Sequence, residues 1–191
     1  EQAKGKGKED SIKYVTAKLK ALNEEVKTFE EDFMLKNKGT FVYDVLNLKT
    51  EKEPKEVPKA KNGRPDSVYQ YYWYKNHFFD GIDFKDDRIV RTPFFDDRVK
   101  KYFDVVILQH PDTVIAEIDK VLGRANKDSA VYNSLIGYFT YKYEQSKIMG
   151  FDKIFVHIAD KYIIPGNAKK VYADETAKKI KERVDIMRNL L

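Results

Sequence analysis

The sequence predicts an all-α fold, an irregular array of roughly seven or eight helices packed largely as antiparallel pairs. Three observations carry that prediction. Apolar residues recur three or four apart through most of the chain, which is the period of one helix face. Only six prolines and nine glycines interrupt 191 residues, leaving room for long helices, and the breaks between periodic segments are short. No exact repeat period is visible, so a regular tetratricopeptide array is not supported.

Residues 1 to 10, with Lys4, Lys6 and Lys8, read as a flexible basic tail, and residues 11 to 191 as a single helical domain. From 11 to 36, Ile12, Val15, Leu19, Leu22, Val26, Phe29 and Phe33 form one apolar stripe with Lys and Glu between them. Asn37-Lys38-Gly39-Thr40 reads as a stop followed by a new cap. A shorter helix with Phe41, Val42, Val45 and Leu46 follows, expected to pack antiparallel on the first. Pro54, Pro58, Gly63 and Pro65 among charged residues mark a loop near 50 to 66, because proline removes a donor and restricts its predecessor.

Ser67 is placed to cap a helix running through Tyr71, Tyr72, Tyr74, Lys75 and Phe78. After an irregular run from Asp80 to Pro93, a helix is expected from Phe94 or Asp96, burying Val99, Tyr102, Phe103 and Val106. His110-Pro111-Asp112-Thr113 opens the next, with Val114, Ile115, Ile118, Val121 and Leu122. Asp128 or Ser129 starts another through Val131, Leu135, Tyr138, Phe139 and Tyr143. Gly150 separates it from a segment carrying Phe151, Ile154, Phe155, Ile158 and Tyr162, and Pro165-Gly166-Asn167 is the next breaker. Asp174 caps the last helix, with Ala177, Ile180, Val184 and Met187 inward.

Composition narrows the chemistry. Apolar residues at 42% with charged residues at 35% suit a folded core, and no run approaches the roughly 18 apolar residues that span a bilayer. The chain begins at Glu1 with no apolar signal segment, which reads as a processed or excised piece. With no cysteine, the chain has no Cys nucleophile, thiolate metal site or redox pair. The net charge of +5 comes partly from the tail, and elsewhere lysines interleave with Asp and Glu, so no nucleic-acid partner is expected.

The densest polar group is Asp80, Asp83, Asp86 and Asp87, beside Lys85 and Arg88. Several carboxylates on one loop suit a hard cation, but the central Gly and closing Glu of a calcium loop are missing, so capping and ion pairing are the favoured reading. His77, His110 and His157 show no zinc-ligand spacing, and Ser134 and Ser146 lack a nucleophile-elbow context. The adjacent carboxylates Asp96-Asp97 and Glu24-Glu25 point in different directions on a helix. The reading assigns no catalytic residue, no cofactor and no metal.

The most unusual segment is Tyr69-Gln70-Tyr71-Tyr72-Trp73-Tyr74-Lys75-Asn76-His77-Phe78-Phe79. On one helix these rings surround much of the circumference, so they either join two packed layers or leave aromatic edges exposed for a protein, peptide or glycan. Tyr69, Tyr71, Tyr72, Trp73, Tyr74 and His77, together with Asp80, Asp83, Asp86, Asp87 and Arg88, form the candidate recognition surface.

A set of short motifs carries a family resemblance: Asp66-Ser67 before Tyr71-Tyr72, then His77-Phe78-Phe79-Asp80, Ile82-Asp83-Phe84, Asp86-Asp87-Arg88 and Arg91-Thr92-Pro93-Phe94-Phe95. It continues in His110-Pro111-Asp112-Thr113, Lys142-Tyr143-Glu144, Ser146-Lys147-Ile148-Met149-Gly150, Phe155-Val156-His157 and Ala159-Asp160-Lys161-Tyr162. On these residues the chain resembles the helical N-terminal region, itself a domain of unknown function, of cell-envelope thioredoxin-like proteins from the Bacteroidetes. The resemblance implies a parent in the periplasm or cell envelope, directed there by a lipidated signal, with a covalently linked thioredoxin-like domain after this region. No Cys-x-x-Cys is present, so no catalytic residue carries over. The implied role is a noncatalytic accessory domain that supports client or partner recognition. The alternatives are a structural spacer that orients the redox domain, or a glycan- or peptide-binding envelope module; a standalone enzyme is disfavoured.

Overall fold

The computed structural model describes residues 2–188, with side chains from Asp10 onward. The described residues form an irregular all-α fold of eight α-helices with no strand. Two compact units divide the chain, Glu1–Leu46 and Asn47–Leu191, where the sequence reads as one domain from residue 11.

The first unit holds α1, Gln2–Lys36, and the start of α2, Phe41–Lys49. The backbone of the Gly-Lys segment, expected as a tail, belongs to α1; the side chains of Lys4, Lys6 and Lys8 lie outside the described residues. The expected stop and cap are present. Gly39 takes φ +84, a conformation that costs an L side chain strain. The Thr40 hydroxyl then donates to the Asn37 carbonyl at 2.7 Å and accepts from the Tyr43 amide at 3.5 Å. The stripe of α1 is not covered by α2 as expected: Leu19 and Leu22 are each 55% exposed and Phe29 is 68% exposed.

The second unit contains α3 (Ser67–His77), α4 (Pro93–Lys101), α5 (Pro111–Leu122), α6 (Ala130–Glu144), α7 (Asp152–Ile158) and α8 (Asp174–Arg188). Its helix starts follow from side-chain chemistry. Asp66, one residue before the expected Ser67, caps α3 because its Oδ1 accepts from the amides of Val68 and Tyr69 at 2.9 and 3.1 Å. Pro93 and Pro111 open α4 and α5 at the position where an amide hydrogen is not needed. Ser129 caps α6 by accepting from the Tyr132 amide at 3.1 Å.

The core is built from Val114, Ile118 and Val121 of α5, Leu135, Ile136 and Phe139 of α6, Ile154, Phe155 and Ile158 of α7, and Val184 of α8, all buried. Packing goes beyond pairs, since α7 lies against α5, α6 and α8 together. Seven residues are too few for a helix to be stable alone. Burial of its apolar side chains, roughly 2 kcal/mol each, holds it in place.

Two helices end in a feature that periodicity does not announce. After α4 the backbone widens into a π-turn over Tyr102–Val106, and after α7 into another over Ala159–Ile163. The Ile107 amide donates to the Tyr102 carbonyl at 3.1 Å, and the Ile164 amide to the Ala159 carbonyl at 2.8 Å. The proline-containing loop is ordered by its own bonds: the Asp66 amide donates to the Pro58 carbonyl at 2.9 Å and the Ala60 amide to the Arg64 carbonyl at 2.8 Å.

Candidate functional site

The aromatic run forms α3, and the helix has no fully buried residue. Its inner side is anchored by polar bonds. The Tyr74 hydroxyl donates to Glu51 Oε2 at 2.7 Å, Lys101 also reaches Glu51, and Arg98 Nη1 lies 3.5 Å from it. Arg98 is 4% exposed; its Nε and Nη2 donate to the Phe78 carbonyl at 3.2 and 2.6 Å, and its guanidinium lies 4.1 Å from the Phe78 ring centre. Burial lowers the proton affinity of Arg98, and the Glu51 charge opposes that shift. Burial also pushes the Glu51 carboxyl up, but bonds from Lys101 and Tyr74 with the Arg98 charge outweigh it and hold Glu51 below the usual carboxylate range.

A second anchor is Glu117 on α5, 4% exposed. It receives Lys75 at 2.9 Å, Lys120 at 2.8 Å and the Tyr102 hydroxyl at 2.8 Å. Desolvation raises its proton affinity, and these three donors reverse the shift so that it stays ionised. Desolvation and the bond to Glu117 push Tyr102 far above its ordinary value, keeping the phenol a donor.

The outer side of α3 is different. Tyr69 is 39% exposed and Tyr72 56% exposed, while Tyr71 and Trp73 are half-buried. Trp73 stacks on His77 with ring centres 4.2 Å apart and planes 10° from parallel. His77 Nδ1–H donates to the Trp73 carbonyl at 2.7 Å, because a carbonyl only accepts, and this bond fixes the imidazole under the indole. Trp73 and Tyr69 line a groove of about 720 Å³ whose other wall is Lys52, Glu53, Pro54, Lys55 and Glu56. The wall therefore offers ammonium and carboxylate groups beside an aromatic surface, a combination that can hold an extended polar ligand.

The acidic segment follows another course. Asp83 Oδ1 accepts from the Lys85 amide at 2.9 Å, closing a turn. Asp86 accepts from the Arg88 amide at 3.0 Å and pairs with its guanidinium at 2.6 to 3.0 Å; the side-chain bonds from Arg88 hold the Asp86 carboxyl low. Asp87 Oδ1 accepts from the Val131 amide at 3.2 Å, in the first turn of α6. Asp80 is half-buried beside Gly81, which takes φ +82, a backbone conformation that strains any residue with a side chain. Asp83, Asp86 and Asp87 are employed in turns and at the start of α6, and none of the four aspartates lines the Trp73 groove. Among the described residues, no three His, Asp or Glu side chains come together as a metal ligand set.

The three histidines are separate. His110 is exposed, 3.9 Å from Asp112. His157 Nε2–H donates to Asp119 Oδ1 at 3.0 Å, and Asp119 also accepts from Lys161 at 2.7 Å and from the Tyr162 hydroxyl at 2.5 Å. Sequence reading missed Glu51, Arg98, Glu117 and Asp119. A signal existed for two of them: Arg98 falls between Phe95 and Tyr102, and Glu117 between Val114 and Val121, on the apolar faces of their helices.

A family model described as a domain of unknown function (DUF5106) matches residues 9–189. No curated protein and no solved structure matches the chain.

Proposed function

The chain belongs to the DUF5106 family, and from that premise we propose that it is a noncatalytic accessory domain that holds an extended polypeptide client in the Trp73 groove. The observation that carries the reading is the indole fixed by His77 on one side, with Tyr69 and the charged Lys52–Glu56 wall around the groove. The motif resemblance supplies the setting: an envelope thioredoxin-like parent, in which a client held here is kept at high local concentration near a linked redox domain. No described helix is long and apolar enough to cross a membrane.

The chain has one tryptophan, so its fluorescence reports directly on the groove. Titration with unfolded, disulfide-bearing polypeptides is expected to shift Trp73 emission, and Tyr69→Ala is expected to weaken that binding about tenfold, as loss of a central aromatic contact does. In the full-length parent, Trp73→Ala is expected to slow client turnover to the rate of the isolated redox domain. Equal client affinity and turnover with and without this domain would overturn recruitment and favour a spacer. A response to oligosaccharides with none to polypeptides would replace the peptide reading with a glycan-binding one.

A further inference from the structure

The stripe of α1 carries a finer pattern than helical periodicity alone. From Ile12 to Phe33 the apolar positions alternate steps of three and four, filling seven consecutive a and d positions of a heptad. The flanking e and g positions are all polar: Ser11, Thr16, Lys18, Asn23, Glu25, Glu30 and Asp32. Helices that pack into a globular core broaden their stripe to a third position in seven, whereas a stripe confined to two is the spacing of a coiled-coil seam. Within its own unit this seam is uncovered, with Ile12, Val15, Leu19 and Leu22 at 53 to 58% exposure. A shallow groove of about 390 Å³ runs along Val15, Leu19 and Leu22, bordered by Lys18 and Glu25.

We propose that a second copy of this chain covers the seam, with the two α1 helices antiparallel. The border charges select the direction. In a parallel pair each g position faces an e position five residues on, which sets Glu25 against Glu30 twice and gives Lys18 only the neutral Asn23. Antiparallel packing sets g against g. With Leu19 level with Leu22 of the second copy, Val15 meets Val26 and Ile12 meets Phe29, and every such layer occurs twice. Lys18 then faces Glu25 of the second copy at two places, attractions that the parallel pair, in which Lys18 meets Asn23, does not offer. Ala17, Lys20, Glu24 and Lys27 remain on the outer side, where a dimer leaves them in water.

Sedimentation of the full chain tests the pairing. A concentration-dependent dimer is expected, lost in Leu19→Lys while the near-ultraviolet circular dichroism of the second unit is unchanged. Lys18→Glu is expected to weaken the dimer about tenfold by turning two attractions into repulsions, and Lys18→Glu with Glu25→Lys to restore it to within about twofold. The chain has no cysteine, so Glu31→Cys offers one site for a spin label on the outer face. In the proposed register the two labels lie about 30 Å apart along the helix axis, at 1.5 Å per residue, instead of side by side. A monomer at roughly 0.5 mM, well above the concentration at which a specific dimer forms, would overturn the proposal. So would a dimer indifferent to Leu19→Lys, labels lying side by side, or a double charge swap that fails to rescue.

Discussion

At the scale of single residues, buried charge is kept only where donors replace water. Glu117 has three such donors, Lys75, Lys120 and Tyr102, and they tie α3, α4's π-turn and α5 through one carboxylate. Removing one member of such a set leaves the others buried and unmatched, which costs more than the set contributes over an apolar replacement. Glu117→Gln keeps the volume but loses the charge, and is expected to destabilise the protein by roughly 2 kcal/mol, measured by urea denaturation monitored in the far ultraviolet. Lys120→Ala removes the most exposed donor of the three and is expected to cost about 0.5 kcal/mol or less. Equal losses for both would show that Glu117 is not the centre of the network.

At the scale of elements, α3 is held by its ends and its inner side, with little apolar burial. Asp66 supplies side-chain bonds to the amides of Val68 and Tyr69 in its first turn, so Asp66→Ala is expected to cost about 1 kcal/mol and to fray the helix from Tyr69. Faster amide exchange at Val68 and Tyr69, with α5 and α6 unchanged, is the expected result; uniform destabilisation would mean that α3 unfolds only with the core. The π-turns act at the same scale. An extra residue in the turn after α7 accompanies the placement of the Tyr162 hydroxyl on Asp119, beside His157 from the preceding turn. The turn after α4 likewise precedes the loop in which Gln109 donates to the Phe103 and Ile107 carbonyls at 2.9 and 3.0 Å, satisfying groups left over at the helix end.

At the scale of the whole molecule, the carboxylates set the response to acid. Glu51, Glu117 and Asp119 are raised by desolvation and then brought below their ordinary values by their donors, and Asp86 is lowered by Arg88. A depressed carboxyl is ionised in the folded protein at pH values where the unfolded chain has begun to bind protons. Its contribution is therefore complete above the unfolded value, about pH 4, and is lost as pH falls through the folded value. The melting temperature is expected to be flat from neutral pH to about pH 5 and to fall steeply below about pH 4. Combining Glu117→Gln with Asp119→Asn is expected to lower stability at neutral pH and to flatten the acid limb. An acid limb as steep in the double variant as in the wild type would place the linked protons elsewhere.

Helix periodicity, proline placement and turn glycines act over a few residues, and so they are legible from the chain alone. The stop at Gly39, the start at Pro111, the cap at Ser129 and the break at Gly150 all follow from local chemistry. The π-turns were not legible, since Tyr102 and Ile163 continue an ordinary apolar pattern in which a widened turn leaves no mark. The aromatic run was legible as a helix and as a surface candidate, but not which rings would face inward. That depended on Glu51 and Glu117, far away in sequence, claiming Tyr74 and Lys75. By itself, then, the sequence determined an all-α chain without thiol chemistry, because a helix needs only its own neighbours and a missing cysteine needs no fold at all. Only the tertiary structure decided that the Asp83, Asp86 and Asp87 carboxylates serve turns and a helix start while Trp73 and Tyr69 line a groove, because burial and hydrogen bonding assign each polar group its partner.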